Sequence, residues 1–308
     1  MNYVLPFVDC NDPIWLEQYR TAFHFNDCIN QMDKSRFRPF NTLKYAFRSV
    51  AANMPFIDKI VLIVSTESQV PDWVNRDTVR IVLHSEFMPK HHIPTFNSSV
   101  IESDMWRIDG LSERFVYGND DFFALNPMKE SDFFDGDIPR LNFEVSDYAV
   151  KNIFRMCCRK GMDMAADAVG VPYSDGRLLL KPQHCMKGIR TASMKEVGQK
   201  CAGKIEGTIS MTRHWSNITG YLYHYYEFYQ GNYRSFKKSY KYIRISNDYQ
   251  DVIDAIRDQS IDMLCINDAG DLDDEHYQEA CDALTEAFKE RFPNESKFEI
   301  FQNHNSNI

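Results

Sequence analysis

Residues 94–123 read PTFNSSVIESDMWRIDGLSERFVYGNDDFF, and this stretch decides the fold. Ile101, Met105 and Ile108 recur at helical spacing and Gly110 closes the run, so a helix carrying Glu102 is predicted. A short apolar strand follows over 114–117 and ends abruptly in Asn119-Asp120-Asp121. Adjacent carboxylates just past a strand are where open α/β sheets place ligand and metal chemistry. The side-by-side charges repel, and a divalent cation relieves that repulsion.

Working outward, four more short runs rich in β-branched or aromatic residues are predicted as buried strands, at 3–8, 59–64, 79–83 and 263–266. Three of the five runs stop at an acid: Val8 at Asp9, Tyr117 at Asn119-Asp120-Asp121, and Ile266 at Asn267-Asp268. If these strands are parallel, the three acidic tips gather at one sheet edge. Helices fill the intervals: Leu43, Ala46, Phe47 and Val50 mark one, stopped before Pro55, and Tyr277, Cys281, Leu284 and Phe288 mark another, stopped at Pro293. Alternating strands and helices predict an α/β class. The pattern loosens over 127–180, which is expected as a helical insertion or lid on a single catalytic domain (1–308, core 1–126 and 180–300). The tail after Phe301 is polar and expected to fray.

Composition narrows the function. Apolar content of 44% and charged content of 26% are ordinary for a globular protein. A formal charge of −9 argues against a general nucleic-acid binder. No apolar run is long enough to span a bilayer, and no secretion signal opens the chain, so a cytoplasmic protein is expected, with peripheral contact to membrane assembly machinery allowed. Eight scattered cysteines (10, 28, 157, 158, 185, 201, 265, 281) without a Cys-x-x-Cys pair point to reduced core thiols rather than zinc.

These residues carry a resemblance. The blocks YVLPFVDCNDPIW (3–15), RFRPFNTLKYAFRS (36–49), IVLIVSTESQVPDWV (60–74) and VRIVLHSEFMP (79–89), the stretch 94–121, the region from His184 to Arg213-His214, and LCINDAGDLDDEHYQEACDALTEAFKERFP (264–293) together span nearly the whole chain. In these blocks the chain resembles the Stealth family of sugar-1-phosphate transferases. That family includes bacterial capsular polysaccharide phosphotransferases and the catalytic part of the lysosomal-enzyme N-acetylglucosamine-1-phosphotransferase. The pattern departs at Cys10, Pro39, Phe40, Thr42, Lys44 and Asp104, where the family usually has other residues.

The resemblance implies a Rossmann-like, glycosyltransferase-A-like, mostly parallel sheet flanked by helices. Carried over by position, it implies Glu102, Asp121, His184 and Arg213 as catalytic residues, and Asp120, Asp121 and Asp268 as ligands of Mg²⁺ (or Mn²⁺). Asp9, Asp12, Arg36 and Arg48 are the candidates for contacts to a UDP-sugar donor, and a polysaccharide or oligosaccharide hydroxyl is the acceptor. The chemistry suits the residue types. Imidazole titrates near neutrality and can take a proton from a sugar hydroxyl, and guanidinium forks match phosphate oxygens.

Each assignment has a structural rival. Asn119-Asp120-Asp121 also fits a solvated turn. Ser99-Val100-Ile101-Glu102 fits a capping box, and sequence alone favours that use of Glu102. The tyrosine-rich stretch 221–242 fits core packing better than sugar stacking. Asn267-Asp268 fits a helix start capped through Asp271 or Asp273. Two other functions remain open at this level: a metal-dependent glycosyltransferase that releases UDP, and a non-catalytic carbohydrate-binding protein.

Overall fold

The computed structural model describes residues 1–23, 31–149, 152–172 and 176–301. Cys28 and the tail 302–308 lie outside the described residues. The chain forms two compact units. The first comprises Met1–Pro6, Leu83–Gly118 and Glu130–Lys237; the second comprises Phe7–Val82, Asn119–Lys129 and Lys238–Ile308.

In the first unit, strands Lys187–Arg190, Arg114–Tyr117 and Asn2–Pro6 lie side by side in that order. Asn2–Pro6 runs parallel to Arg114–Tyr117, with Val4 opposite Tyr117, and Lys187–Arg190 runs antiparallel on the other side, with Lys187 opposite Tyr117. Tyr3, Val4, Leu5, Phe115, Val116 and Tyr117 are all buried, which is why these short runs are strands at all. At Gly118 a Cβ would run into the Tyr3 hydroxyl, so the chain leaves this strand through a residue without a side chain. Helices Ser98–Asp104, Ile153–Val169, Thr191–Glu206 and Tyr221–Tyr229 belong to the same unit. The tyrosine-rich helix is mostly buried, in keeping with its reading as core.

In the second unit, strands Tyr240–Ser246, Met263–Asp271 and Phe122–Ala124 form a three-stranded sheet. The first pair is parallel and the second antiparallel, with Cys265 opposite Phe122. Helices Leu43–Asn53, Gln250–Arg257 and Asp274–Arg291 flank it. Tyr45, Phe123, Ile245, Ile256, Leu264, Leu284 and Phe288 share one core, and the Phe123 and Phe288 rings stack at 4.2 Å. Strands Lys59–Val64 and Val79–Leu83 are neighbours in a sheet; the first is buried from Ile60 onward, the second at Val79 and Val82.

The α/β class is found, with parallel pairing at the centre and antiparallel strands beside it. Two expectations need correction. The strand Met263–Asp271 belongs to a different sheet from Asn2–Pro6 and Arg114–Tyr117, so no single sheet edge carries all three acidic tips. Residues 127–180 hold the expected helix Ile153–Val169, but also strands Phe134–Asp135, Ile138–Leu141 and Phe143–Asp147. Phe143–Asp147 pairs antiparallel with Leu178–Pro182, and its residues are largely exposed, so no alternation of buried and polar positions marked it as a strand.

Candidate active site

In the first unit, three of the residues singled out by sequence share one neighbourhood. Helix Ser98–Asp104 starts at Asn97, whose side chain accepts the Ser99 amide at 3.1 Å. That cap leaves Glu102 unneeded for a capping box. Its Oε1 accepts the Tyr117 hydroxyl at 3.0 Å and its Oε2 accepts the Gly220 amide at 2.7 Å. Tyr223 fixes the same turn by donating its hydroxyl to the Glu102 carbonyl at 2.6 Å. The capping-box reading of Glu102 is therefore wrong, because Asn97 already holds the helix start.

Beside Glu102 lies Lys187, which the sequence reading did not select. It is buried, and its Nζ sits 3.6 Å from the centre of the Tyr221 ring and 4.8 Å from that of Tyr117. An ammonium over two aromatic faces is held by their quadrupoles. Burial pulls its pKa down, and the nearby Glu102 carboxylate pushes it back up.

His184 follows strand Leu178–Pro182 and precedes Lys187–Arg190. Its Nδ1 lies 3.4 Å from the Tyr221 hydroxyl, and the Phe154 ring meets it edge-on. Burial first, then the positive charges of Lys187 and Arg213, lowers its pKa to about 3. His184 is thus a neutral imidazole at pH 7 with two cations nearby. Arg213 is exposed and donates through Nη2 to the Ser98 hydroxyl at 2.9 Å, at the start of the helix that carries Glu102.

In the second unit, the acidic tip is fixed by strand Phe122–Ala124. The Ile266 amide donates to the Asp121 carbonyl at 3.1 Å, and Ser49 and Asn53 of helix Leu43–Asn53 hydrogen-bond the Ala124 backbone. The Cys265 thiol lies 3.5 Å from Asp121 Oδ2. Burial, then the charge of Asp121, pushes Asp120 up to about 7. Asn119 Oδ1 is buried and, among the described residues, meets no hydrogen-bond donor. Two crowded carboxylates and an unsatisfied carbonyl oxygen are oxygen donors of the kind a hard divalent cation such as Mg²⁺ takes, with the Cys265 thiol beside them.

Of the remaining candidates, Asp268, Arg48, Asp12 and Asp9 have partners of their own. Asp268 is buried, receives Arg38 Nε at 2.6 Å on Oδ2 and the Gly270 amide at 3.0 Å on Oδ1, and would have to leave both to reach a cation. Arg48 closes its fork on the two oxygens of Glu299 at 2.9 and 2.8 Å. Asp12 accepts the Trp15 amide at 2.7 Å at the start of helix Pro13–Phe23. Asp9 accepts the Asn11 amide at 2.8 Å, while its own amide donates to Gln69. Arg36, in the last turn of helix Gln31–Phe37, is half-buried and meets no carboxylate among the described residues. Asp273, as its position suggested, caps helix Asp274–Arg291 by accepting the His276 amide at 2.9 Å.

Among the described residues, no helix is long and apolar enough to cross a membrane. Comparison with known proteins gives the fold and site a context. The family model described as Stealth protein CR2, conserved region 2, matches residues 36–140. The capsular polysaccharide phosphotransferase WcwK of Streptococcus pneumoniae is 28% identical, over 97% of this chain and 98% of that protein. The capsular polysaccharide phosphotransferase eps5J of Streptococcus thermophilus is 41% identical over a shorter region, 46% of this chain and 60% of that protein. Among solved structures, the galactosyltransferase LgtC overlaps 92% of this chain and 96% of that one at 11% identity, but a TM-score of 0.37 is too low to carry an argument. Over residues 36–140 the chain thus matches conserved region 2 of Stealth proteins, and along nearly its full length it is similar to a capsular polysaccharide phosphotransferase.

Proposed function

We propose that this protein transfers a hexose-1-phosphate from a UDP-sugar, with N-acetylhexosamine the sugar of choice, to a sugar hydroxyl of a growing capsular or exopolysaccharide and releases UMP. The observation that carries this reading is His184, its Nδ1 3.4 Å from the Tyr221 hydroxyl and its pKa held low by burial and then by the charges of Lys187 and Arg213. Two cations beside an unprotonated imidazole make a site for an anion next to a base. A bound diphosphate would offset both charges, the lesser two causes of the low pKa after burial, and so shift the imidazole pKa upward. The names of the relatives supply the substrate class: both are capsular polysaccharide phosphotransferases.

The contacts support the following roles. If the Tyr221 hydroxyl donates to the Gln183 carbonyl at 3.3 Å, its oxygen accepts the Nδ1 proton of His184. The Nε2 lone pair is then left to take the proton of the attacking hydroxyl. Arg213 and Lys187 would neutralise charge on the transferred phosphoryl group, and Glu102 would hold Lys187 and Tyr117 in position. Asp120, Asp121 and Asn119 would hold Mg²⁺, which would supply charge neutralisation. Phosphoryl transfer relies mainly on positioning and electrostatics, so no covalent enzyme nucleophile is needed. The attacking oxygen bonds to the β-phosphorus, the bond from that phosphorus to the bridging oxygen breaks, and UMP leaves.

A panel of nucleotide sugars with an oligosaccharide acceptor, with and without Mg²⁺, tests the reading. Mg²⁺-dependent UMP release is expected. UDP release would indicate glycosyl transfer, and no turnover with any donor would favour a binding protein.

A further inference from the structure

We propose that His91, His92 and Glu206 form a binding site for a divalent transition-metal ion of the zinc class, separate from the transfer chemistry. The three residues come from two places far apart in sequence. His91 and His92 end a single 3-10 turn, Lys90–His92, and Glu206 is the last residue of helix Thr191–Glu206. His91 Nε2 lies 2.6 Å from Glu206 Oε1, and His92 Nε2 lies 3.0 Å from Glu206 Oε2. One donor atom from each residue falls within 4.8 Å of the other two.

The buried member of the set explains why a cation belongs there. The His92 side chain is 1% exposed, and Asp104 meets its other nitrogen, with Nδ1 at 2.5 Å from Oδ2. Asp104 is itself fully buried and takes Arg107 Nε at 3.1 Å on its second oxygen. A carboxylate thus faces each nitrogen of one buried imidazole. On the Nε2 side the imidazole meets the Glu206 carboxylate, and a cation between them would bind both. With Nδ1–H donated to Asp104, Nε2 presents a lone pair to the ion, which is the carboxylate–histidine–metal arrangement that orients a ligand and raises its basicity.

Two imidazoles and one carboxylate select zinc-class ions over magnesium, which prefers all-oxygen sites. Ligands about 2.0–2.1 Å from a tetrahedral Zn²⁺ lie about 3.3 Å apart. The separations of 2.6 and 3.0 Å are about 0.7 and about 0.3 Å shorter, and Glu206 and His91 are exposed enough to move outward. Their exposure also leaves the fourth position to water. The ion would tie the turn before Pro94 to the end of helix Thr191–Glu206, and through Asp104 it would brace the helix that carries Glu102.

The test uses the full chain without a polyhistidine tag, with Zn²⁺ and Co²⁺ as probes. In competition with a chromophoric chelator, one Zn²⁺ per chain is expected, not displaced by millimolar Mg²⁺, and Co²⁺ should give the visible absorption of a four-coordinate site. His91→Ala and Glu206→Gln change exposed side chains and should leave the circular dichroism unaltered while weakening Zn²⁺ binding at least about 10-fold. Asp104→Asn should weaken it about 10–100-fold. If the His91→Ala/Glu206→Gln double variant binds Zn²⁺ as tightly as the unaltered chain, or if the unaltered chain binds none, the clasp is held by protons and the proposal is overturned. None of these readouts depends on transfer activity.

Discussion

Glu102 and Lys187 should be energetically coupled, and the structure allows the size of that coupling to be worked out. Glu102→Gln keeps one acceptor oxygen of the two that receive Tyr117 and Gly220. It forfeits roughly one hydrogen bond to a charged group, about 1.5–3 kcal/mol, and leaves the buried ammonium of Lys187 without its nearest opposite charge. A net loss of about 2–4 kcal/mol is expected. Lys187→Met fills the same space between the two tyrosine rings with an apolar chain, and should cost little or even stabilise, because a desolvated charge is removed. In the Lys187→Met background, Glu102→Gln should then cost about 1–3 kcal/mol less than it does alone. Urea unfolding of the four proteins at pH 7, followed by circular dichroism, measures each corner of the cycle. If the two changes add to within about 0.5 kcal/mol, the charges do not sense one another and the described neighbourhood is wrong.

Three further outcomes follow from the same geometry. His184→Ala should lower the transfer rate by about 10²–10⁴ with little change in stability; an unchanged rate would remove it as the base. Asp121→Asn should raise the Mg²⁺ concentration for half-maximal activity by at least about 10-fold, and equal Mg²⁺ dependence would show that the tip does not hold the ion. Burial, then Lys187, holds His224 at a pKa of about 3, well below its unfolded value, so the unfolded chain alone takes up its proton as pH falls below about 6.5. Stability is therefore lost on acidification: between pH 7 and 5, His224 should account for about 2 kcal/mol, a loss that His224→Gln abolishes in urea titrations at the two pH values.

Local chemistry was legible in the sequence, and long-range partnership was not. Lys59–Val64, Val79–Leu83 and Arg114–Tyr117 announce themselves because each is an apolar, β-branched or aromatic run buried on folding. The cap at Asp273 could be foreseen because its partner amide is three residues away. Glu102 pointed to the wrong partner, since the Gly220 amide lies 118 residues further on and no spacing rule reaches that far. Asp268 was equally opaque: its counter-ion Arg38 is 230 residues away. Lys187 gave no signal, because a lysine flanked by Met186 and Gly188 resembles an edge residue until two tyrosine rings close over it. The residue types at the site were readable from one dimension, but which of them were already satisfied by a neighbour was not.

A UDP-sugar labelled with ³²P at the β-phosphorus, incubated with Mg²⁺, acceptor and the full chain, follows the atom on which the proposed function turns. Phosphosugar transfer carries the label into the acceptor as a phosphodiester and leaves unlabelled UMP. Label recovered as UDP beside an unlabelled glycosylated acceptor would contradict that account.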